Sequence, residues 1–281
     1  MKKVVDFYKS IPFNYSKDLS FYKKNITEIN QVLEYKDLHN ICLKRKRIFG
    51  SYLIKNVIEF GCGTGWLTNS LAYSYKKNLV SVDFTEKALE TAKKISKSIN
   101  VFPEYFKSDI FEFQDHRKFD LVVSLGVLHH TKNCKEAFKK ISKFVKNRGY
   151  LYVGLYHLYG RKPMLDFFKS YCNWHGEEAA YGLFNYMTKE INNNEHSYSW
   201  FRDQVLHPHE TQHTLSEVIT WLNEIGFTLK STSVNNYKSL KGTSYEDLEK
   251  IEKSFQQISY KKNVVDLVFT PGYFTICAQK I

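Results

Sequence analysis

The segment at residues 57–65 constrains the fold of this chain more than any other part of its sequence. It consists of a short apolar run, the acid Glu59, and three glycines at alternate positions, Gly61, Gly63 and Gly65. Such a run predicts a strand that turns sharply into a helix, whose first amide groups have no partners within the helix. Because side chains at the glycine positions would hold a ligand away from the backbone, we expect the glycines to allow close contact with a nucleotide-like molecule.

The spacing of this turn argues against a dinucleotide site. Dinucleotide-binding turns follow the pattern Gly-x-Gly-x-x-Gly, whereas this chain has acid-x-Gly-x-Gly-x-Gly. A glycine-rich turn alone is also compatible with a tight strand-to-helix connection that binds nothing. However, Glu59, Asp83 and Asp109 each follow an apolar run at the spacing of successive strand and helix units. This ordered set favours a ligand site.

These motifs resemble those of the class I S-adenosylmethionine-dependent methyltransferases, and the resemblance covers roughly residues 50 to 160, with the strand-forming tail. It implies S-adenosylmethionine as the cofactor. In that family the acid after the second strand takes both ribose hydroxyls, and a later acid and the next amide contact the adenine, which are roles for Asp83, Asp109 and Ile110. The residues that the resemblance assigns to the cofactor are Glu59, Gly61, Cys62, Gly63, Gly65, Trp66, Asp83, Phe84, Asp109, Ile110 and Leu125.

The alternation of apolar strands with amphipathic helices predicts an α/β fold. It predicts a parallel sheet with helices on both faces. The resemblance implies that this sheet is Rossmann-like, with seven mostly parallel strands and an antiparallel last strand. The expected parts are an N-terminal helical cap (1–48), the cofactor-binding core (49–157), a helical insertion after the fifth strand that serves as a substrate lid (158–213), and the rest of the core with a helical excursion (214–281).

Several local signals set the expected ends of these elements. Thr85 and Asn133 each precede an amphipathic helix and are predicted to cap it, and Thr214 and Glu217 are spaced as a capping box. Val145 is predicted to lie on the inward face of the helix after Asn133, with the next strand at 150–156. The insertion is predicted to form a satellite core from Phe167, Phe168, Tyr171, Phe184 and Tyr186.

The segment at 207–213 is the most unusual sequence outside the cofactor motifs. It contains His207, His209, Glu210 and His213, which are suited to substrate binding or proton transfer. Pro208 would break the helix needed to present two of these histidines together, and no cysteine or second carboxylate is near, so we expect no metal. We expect the segment to form a wall of the acceptor pocket opposite His130. The alternative is a polar loop that caps the next helix.

The resemblance also implies a function. The string at 127–130 is similar to the small-molecule branch of the family, and the chain lacks the Asn-Pro-Pro-Tyr and Pro-Cys signatures of enzymes that methylate DNA bases and some RNAs. Methyl transfer to a small-molecule acceptor would need positioning of the two reactants, and a base only where the acceptor loses a proton. Candidate catalytic groups are His130, His207, His209, Glu210 and His213. Tyr8 and Tyr15 are expected near the methyl-transfer mouth.

Composition sets the remaining expectations. The net charge of +12 and the basic cluster at 44–47 keep open an alternative function as a tRNA- or rRNA-modifying methyltransferase, although the basic residues are mostly dispersed. A non-catalytic interaction module is a further alternative. No apolar run reaches the roughly 18 residues of a membrane span, so we expect a soluble, cytoplasmic protein. The five scattered cysteines predict reduced structural thiols. No sequence feature specifies an oligomeric state.

Overall fold

The computed structural model describes residues 2–10, 12–13, 16, 18–43, 53–189 and 194–281 of the chain. The basic cluster at 44–47 and Tyr15 lie outside the described residues. No helix within those ranges combines the length and the apolar character that crossing a membrane requires. The cysteines are all free thiols, and all but Cys172 are buried.

Seven strands of the described residues form one sheet, in the order β3-β2-β1-β4-β5-β7-β6. They are β1 (Asn56–Phe60), β2 (Asn78–Asp83), β3 (Glu104–Lys107), β4 (Phe119–Leu125), β5 (Val145–Tyr156), β6 (Phe227–Thr232) and β7 (Tyr273–Lys280). Strands β1 to β5 are parallel, and β7 runs antiparallel between β5 and β6. The predicted Rossmann-like, mostly parallel sheet is therefore confirmed.

Helices cover both faces of this sheet. In the described residues they are α1 (Lys2–Ser10), α2 (Leu19–Lys24), α3 (Lys36–Leu43), α4 (Trp66–Tyr75), α5 (Glu86–Ser98), α6 (Cys134–Ser142), α7 (Leu158–Thr188), α8 (Asn194–Val205), α9 (Leu215–Glu224) and α10 (Tyr245–Tyr260). Successive side chains of a strand point to opposite faces, so Ile58 joins a core with Phe138 of α6 while Val57 joins another with Leu67 of α4. The apolar character of β1 on both faces follows from this double cover.

Strand β5 begins earlier than predicted. Helix α6 ends at Ser142, and Val145 pairs with Phe119 of β4 instead of lying on the helix. The register then shifts, so that Tyr150 pairs with Leu121. The irregular pairing adds residues 145–149 to β5, before its apolar run at 150–156. The periodicity of the apolar run could not reveal these added residues.

The predicted helix caps are correct in position but differ in their bonds. Asn133 accepts a hydrogen bond from the Glu136 amide at 3.1 Å, as predicted. Thr85 occupies the capping position of α5, but its side chain makes no capping bond. Thr214 accepts from the Glu217 amide at 3.1 Å, and the Glu217 carboxylate bonds His213 instead of completing a capping box.

The insertion after β5 forms a small core of its own. Helix α7 is interrupted at Gly176, whose backbone (φ 84°, ψ 167°) is not helical, and its two halves pack with α8. Phe168 and Phe184 are fully buried there. Tyr186 is 71% exposed, so the prediction that it belongs to this core is wrong. The insertion begins at His157, whose side chain caps α7 by accepting from the Gly160 amide.

Candidate functional site

A cavity opens where β1, β2 and β4 end, at the edge of the sheet where open α/β folds bind ligands. Its empty volume is about 1010 Å³, including the part open to solvent. The predicted cofactor residues that line it are Glu59, Gly61, Cys62, Gly63, Trp66, Asp83, Phe84, Asp109, Ile110 and Leu125. Gly65 does not line the cavity, because it stands at the start of α4.

The three glycines of the turn differ in what they make room for. A Cβ atom on Gly61 would lie 2.4 Å from a methyl group of Val127, and one on Gly65 would lie 2.7 Å from Ala92. Packing within the protein therefore excludes side chains at both positions. A Cβ atom on Gly63 would meet no atom of the described residues within 4 Å, although its φ of +52° favours glycine. Of the three glycines, only Gly63 has open space where a Cβ would lie. We expected all three to leave room for a ligand, whereas Gly61 and Gly65 leave room for other parts of the protein.

Asp83 organises this turn from the end of β2. Its Oδ1 accepts from the Thr85 amide at 2.8 Å and its Oδ2 from the Gly63 amide at 2.9 Å. Burial raises the pKa of Asp83, and the bonds from Thr85 and Gly63 oppose that rise. Each carboxylate oxygen has a second acceptor site, so the side chain holds the turn and still offers acceptors to a ligand.

Glu59 is buried at the floor of the cavity. The hydroxyl of Thr68 on α4 donates to its carboxylate and also lies 2.7 Å from the hydroxyl of Ser81 on β2. Burial raises the pKa of Glu59 to about 7, and the bond from Thr68 limits the rise. An acid with this pKa changes its charge near neutral pH.

The predicted adenine segment and Trp66 lie on the walls of the same cavity. Asp109 Oδ1 accepts from the Phe111 amide at 2.7 Å, which fixes the loop after β3. Trp66 stacks on Tyr35 with ring centroids 5.9 Å apart. These contacts orient both groups without filling the cavity.

The opposite end of the cavity is closed by α1 and α8. Val4, Tyr8, Pro12 and Phe13 line it from the N-terminal part of the chain. The Tyr8 hydroxyl donates a 2.6 Å hydrogen bond to Oδ1 of Asp203, which lines the cavity from α8. This end is therefore aromatic, with a single buried carboxylate.

His130 is the one predicted catalytic residue that lines the cavity. Its Nδ1 donates to the carbonyl oxygen of His209 at 3.0 Å, which leaves a lone pair on Nε2. That Nε2 is buried and has no hydrogen-bond partner among the described residues. Burial lowers the pKa of His130 to about 4, so the ring is neutral at pH 7.

His207 packs against His130, with the two rings tilted by 36°, instead of facing it across the cavity. The ring centroids are 3.7 Å apart, and Phe7 of α1 contacts the other side of His207 at 5.0 Å. Nδ1 of His207 accepts from the His209 amide at 3.2 Å, while its Nε2 is buried without a described partner. Burial is the main cause that lowers the pKa of His207 to about 3, and the neighbouring His130 contributes to the same shift. The prediction that this segment lies opposite His130 is thus wrong for His207.

The other three candidates of the segment are engaged in structural contacts. His209 Nε2 lies 3.1 Å from the Thr131 carbonyl oxygen. His213 bonds Thr211 and Glu217 at 2.8 and 2.9 Å. Glu210 accepts two bonds from the fully buried guanidinium of Arg161, at 3.0 and 2.8 Å. Burial opposes ionisation of Glu210, but the bonds from Arg161 outweigh it and hold the pKa of Glu210 below its ordinary value.

Two residues of this site, Asp203 and Arg161, were not identified from the sequence. Asp203 was not selected, although it stands four residues before His207, a spacing that places side chains near each other on a helix. Arg161 carried no signal, because it is one of several basic residues in an aromatic helix and Lys162 follows it directly. Both histidines at 129–130 are buried.

Comparisons with known proteins bear on the same region. Residues 58–153 match the family model for a methyltransferase domain. Among curated proteins, the chain is similar to a ubiquinone biosynthesis O-methyltransferase of Rickettsia bellii (26% identity over 112 residues, 40% of this chain and 46% of the relative). It is also similar to the mitochondrial enzyme of that name from Dictyostelium discoideum (32% over 109 residues, 35% of this chain and 34% of the relative). The matched part thus spans less than half the length of either relative.

Solved structures resemble the whole chain more broadly. A plantazolicin methyltransferase in complex with a substrate analogue and S-adenosylhomocysteine (SAH) has a TM-score of 0.53 at 17% identity, covering 93% of this chain and 88% of that one. The magnesium protoporphyrin IX methyltransferase of Synechocystis PCC 6803, with SAH bound, has a TM-score of 0.55 at 13% identity, covering 98% and 94%. At these identities the likeness shows the fold.

Proposed function

Because this chain carries a class I methyltransferase domain, we propose that it transfers a methyl group from S-adenosylmethionine to a small-molecule acceptor. The observation that carries the proposal is the arrangement of Gly63 and Asp83. A glycine with open space above it and a carboxylate bonded to its amide lie together where the parallel strands end. This arrangement offers a nucleoside close backbone contact and acceptors for its ribose hydroxyls.

Within this proposal the cofactor lies along the lining residues of β1, β2 and the loop after β3. Asp83 accepts from the ribose, and Asp109 and Ile110 hold the adenine. The neighbours of similar fold were crystallised with S-adenosylmethionine or SAH, which supports the same ligand here. The sulfonium methyl group would then point toward the aromatic end of the cavity, where Tyr8, His130 and Asp203 lie.

Transfer at that end is a direct displacement. A lone pair of the acceptor atom forms a bond to the methyl carbon while the carbon–sulfur bond breaks, and its electron pair remains on the sulfur of SAH. The aromatic wall from α1 excludes water and positions the acceptor. We assign the insertion at 158–213 as a lid that helps to exclude water and position the acceptor, because α8 supplies Asp203 to the cavity.

A small-molecule acceptor fits the cavity better than a nucleic acid. The lining includes the acids Glu59, Asp83, Asp109 and Asp203, and among the described residues it includes no lysine or arginine. A phosphate chain approaching this opening would meet negative groups without compensating cations. The net charge of +12 therefore lies elsewhere on the chain. A hydroxyl acceptor is consistent with the relatives named as O-methyltransferases, whose matches span 40% and 35% of this chain.

Calorimetric titration of the full chain with SAH tests the cofactor, and we expect one site per chain. Incubation with methyl-labelled S-adenosylmethionine and a cell extract tests the acceptor, with label expected in the small-molecule fraction and not in bulk RNA. Absence of SAH binding by folded protein would overturn the proposal. Label recovered in RNA would replace the small-molecule acceptor with the nucleic-acid alternative.

A further inference from the structure

Three side chains from separate elements converge at the aromatic end of the cavity. His130 follows β4, Asp203 belongs to α8, and His207 follows α8. One ligand-type atom of each, a ring nitrogen or a carboxylate oxygen, lies within 4.8 Å of the others. Two imidazoles and one carboxylate form a donor set that binds divalent transition metals in proteins.

The ring nitrogens of this group have unused capacity. Nε2 of His130 and Nε2 of His207 are both buried and bond no described residue. Buried polar atoms are nearly always paired, so two of them side by side point to an occupant that supplies the missing contact. The His207 bond to the His209 amide, at 3.2 Å on Nδ1, is at the long end of the hydrogen-bond range and is readily exchanged.

His130 is oriented as metal-binding histidines are. Its Nδ1 donates to the carbonyl oxygen of His209, and this fixes the ring and leaves the Nε2 lone pair free. Such a bond from the second ring nitrogen to a carbonyl or carboxylate is the usual support of a histidine ligand. His209 is itself held at Thr131, which anchors the support.

Asp203 contributes a carboxylate that forms no ion pair with a cationic side chain of the described residues. Its Oδ1 accepts from Tyr8, and its Oδ2 accepts from Gln204 at 2.9 Å and Tyr156 at 3.4 Å. All three donors are neutral, and within the described ranges Asp203 forms no ion pair. The nearby cation Arg161 is paired with Glu210. A divalent cation would supply the charge that a buried carboxylate ordinarily needs.

We propose that His130, Asp203 and His207 form a binding site for a divalent transition metal, and that Zn²⁺ is the ion this donor set fits. Ligand atoms around a tetrahedral Zn²⁺ at about 2.0 Å stand roughly 3.3 Å apart, so separations of up to 4.8 Å shorten by up to about 1.5 Å on binding. His130 and Asp203 line the cavity, and the fourth position of the metal therefore faces the space next to the cofactor site.

The role of this metal rests on the proposed function. A hydroxyl acceptor bound at the fourth position loses its proton to solvent more readily, because the metal lowers the pKa of a bound oxygen. The resulting oxygen lone pair forms the bond to the methyl carbon as the carbon–sulfur bond breaks, and the electron pair stays with SAH. Metal binding itself does not depend on this role.

The test titrates chelator-treated full-length protein with Zn²⁺ in competition with a chromophoric chelator, without cofactor. We expect one Zn²⁺ per chain, and visible d–d bands of a low-symmetry site when Co²⁺ is used instead. His207→Ala and Asp203→Asn should each weaken binding by more than the roughly 10–100-fold that loss of an outer-shell partner costs. Matched controls are His175→Ala and Asp166→Asn, which remove an exposed histidine and an exposed aspartate of α7 and should leave affinity unchanged.

Two outcomes overturn the site. One is that the wild-type protein binds no stoichiometric Zn²⁺. This result does not depend on whether a variant folds. The other is Zn²⁺ bound with equal affinity by wild type and by His207→Ala that melts normally. Calorimetry with SAH separates this inference from the proposed function: SAH binding without Zn²⁺ binding removes the metal alone, and Zn²⁺ binding without SAH binding removes the methyltransferase role alone.

Discussion

The hydroxyl of Tyr8 donates a 2.6 Å hydrogen bond to Oδ1 of Asp203, across 195 positions of the chain. Beside it, the Arg202 guanidinium lies 4.3 Å from the ring centroid of Phe7. These two contacts join α1 to α8 above the cavity. The cover of the cavity therefore depends on a helix near the N-terminus and on a helix of the insertion together.

Tyr8→Phe is expected to loosen α1. Removing the hydroxyl leaves a buried carboxylate oxygen without its donor, at a cost of about 1 to 3 kcal/mol. Hydrogen exchange followed by mass spectrometry should show faster exchange of the α1 amides. Tyr186→Phe, which alters an exposed tyrosine of α7, is the control. Unchanged exchange in Tyr8→Phe would show that the bond does not hold α1 in place.

Asp83→Ala is expected to weaken SAH binding by about 1.5 to 3 kcal/mol, because charge-assisted bonds are lost. The Gly63 amide loses its acceptor in the same variant, so the turn is also less ordered. Calorimetry measures the change. Asp166→Asn, which alters an exposed pair with Lys162, should bind as wild type does. Equal affinity for Asp83→Ala would remove Asp83 from the cofactor site.

Gly63→Ala and Gly61→Ala are expected to fail in different ways. A Cβ on Gly63 meets no described atom, so the folded protein should tolerate it at a backbone cost of about 1 to 2 kcal/mol while the cofactor is obstructed. A Cβ on Gly61 collides with Val127, so stability should fall first. Thermal melting and SAH titration of both variants distinguish the two effects. Normal SAH binding by Gly63→Ala would make this glycine purely structural.

Glu210→Ala is expected to destabilise the fold by about 3 to 5 kcal/mol, since it leaves the buried Arg161 guanidinium unpaired. The double variant Arg161→Met/Glu210→Ala removes the stranded charge and should recover much of the loss. Glu217→Ala serves as the control, because Glu217 is a half-exposed partner of His213 and should cost under about 1 kcal/mol. Urea unfolding measures all three, and a stable single variant would contradict the role of the pair.

Glu59 is expected to make stability depend on pH. Burial raises its pKa to about 7 in the folded protein from an ordinary value of 4.5. A raised folded-state pKa gives stability that is fully present below the unfolded pKa and is lost as the pH rises through the folded pKa. Between pH 4.5 and 7 the loss should be on the order of 3 kcal/mol. Urea unfolding of Glu59→Gln should show a smaller decline over this range, and an identical decline would refute the assignment.

Much of the fold was predictable because its signals are local. Strand and helix periodicities predicted a parallel sheet with helices on both faces, and the family resemblance supplied the seven strands and the antiparallel last strand. Periodicity failed at Val145, where a register shift lies within β5. Capping positions were also local, yet Glu217 bonded His213 in place of its predicted partner. A local sequence pattern predicts the position of a residue in a helix or strand. The neighbours in space then decide which hydrogen bonds its side chain forms.

The cofactor cavity and the opposite end of the site therefore have different origins. Sequence by itself determined the glycines and the acids Glu59, Asp83 and Asp109, since backbone geometry at strand ends fixes them near one another. Only the tertiary structure decided that His130, Asp203 and His207 meet. Their approach depends on how α8 packs against β5 and α1, and such long-range packing leaves no periodic mark in a sequence. Pro208 and the lack of a nearby cysteine concern neighbours along the chain, whereas a binding site is formed by neighbours in space.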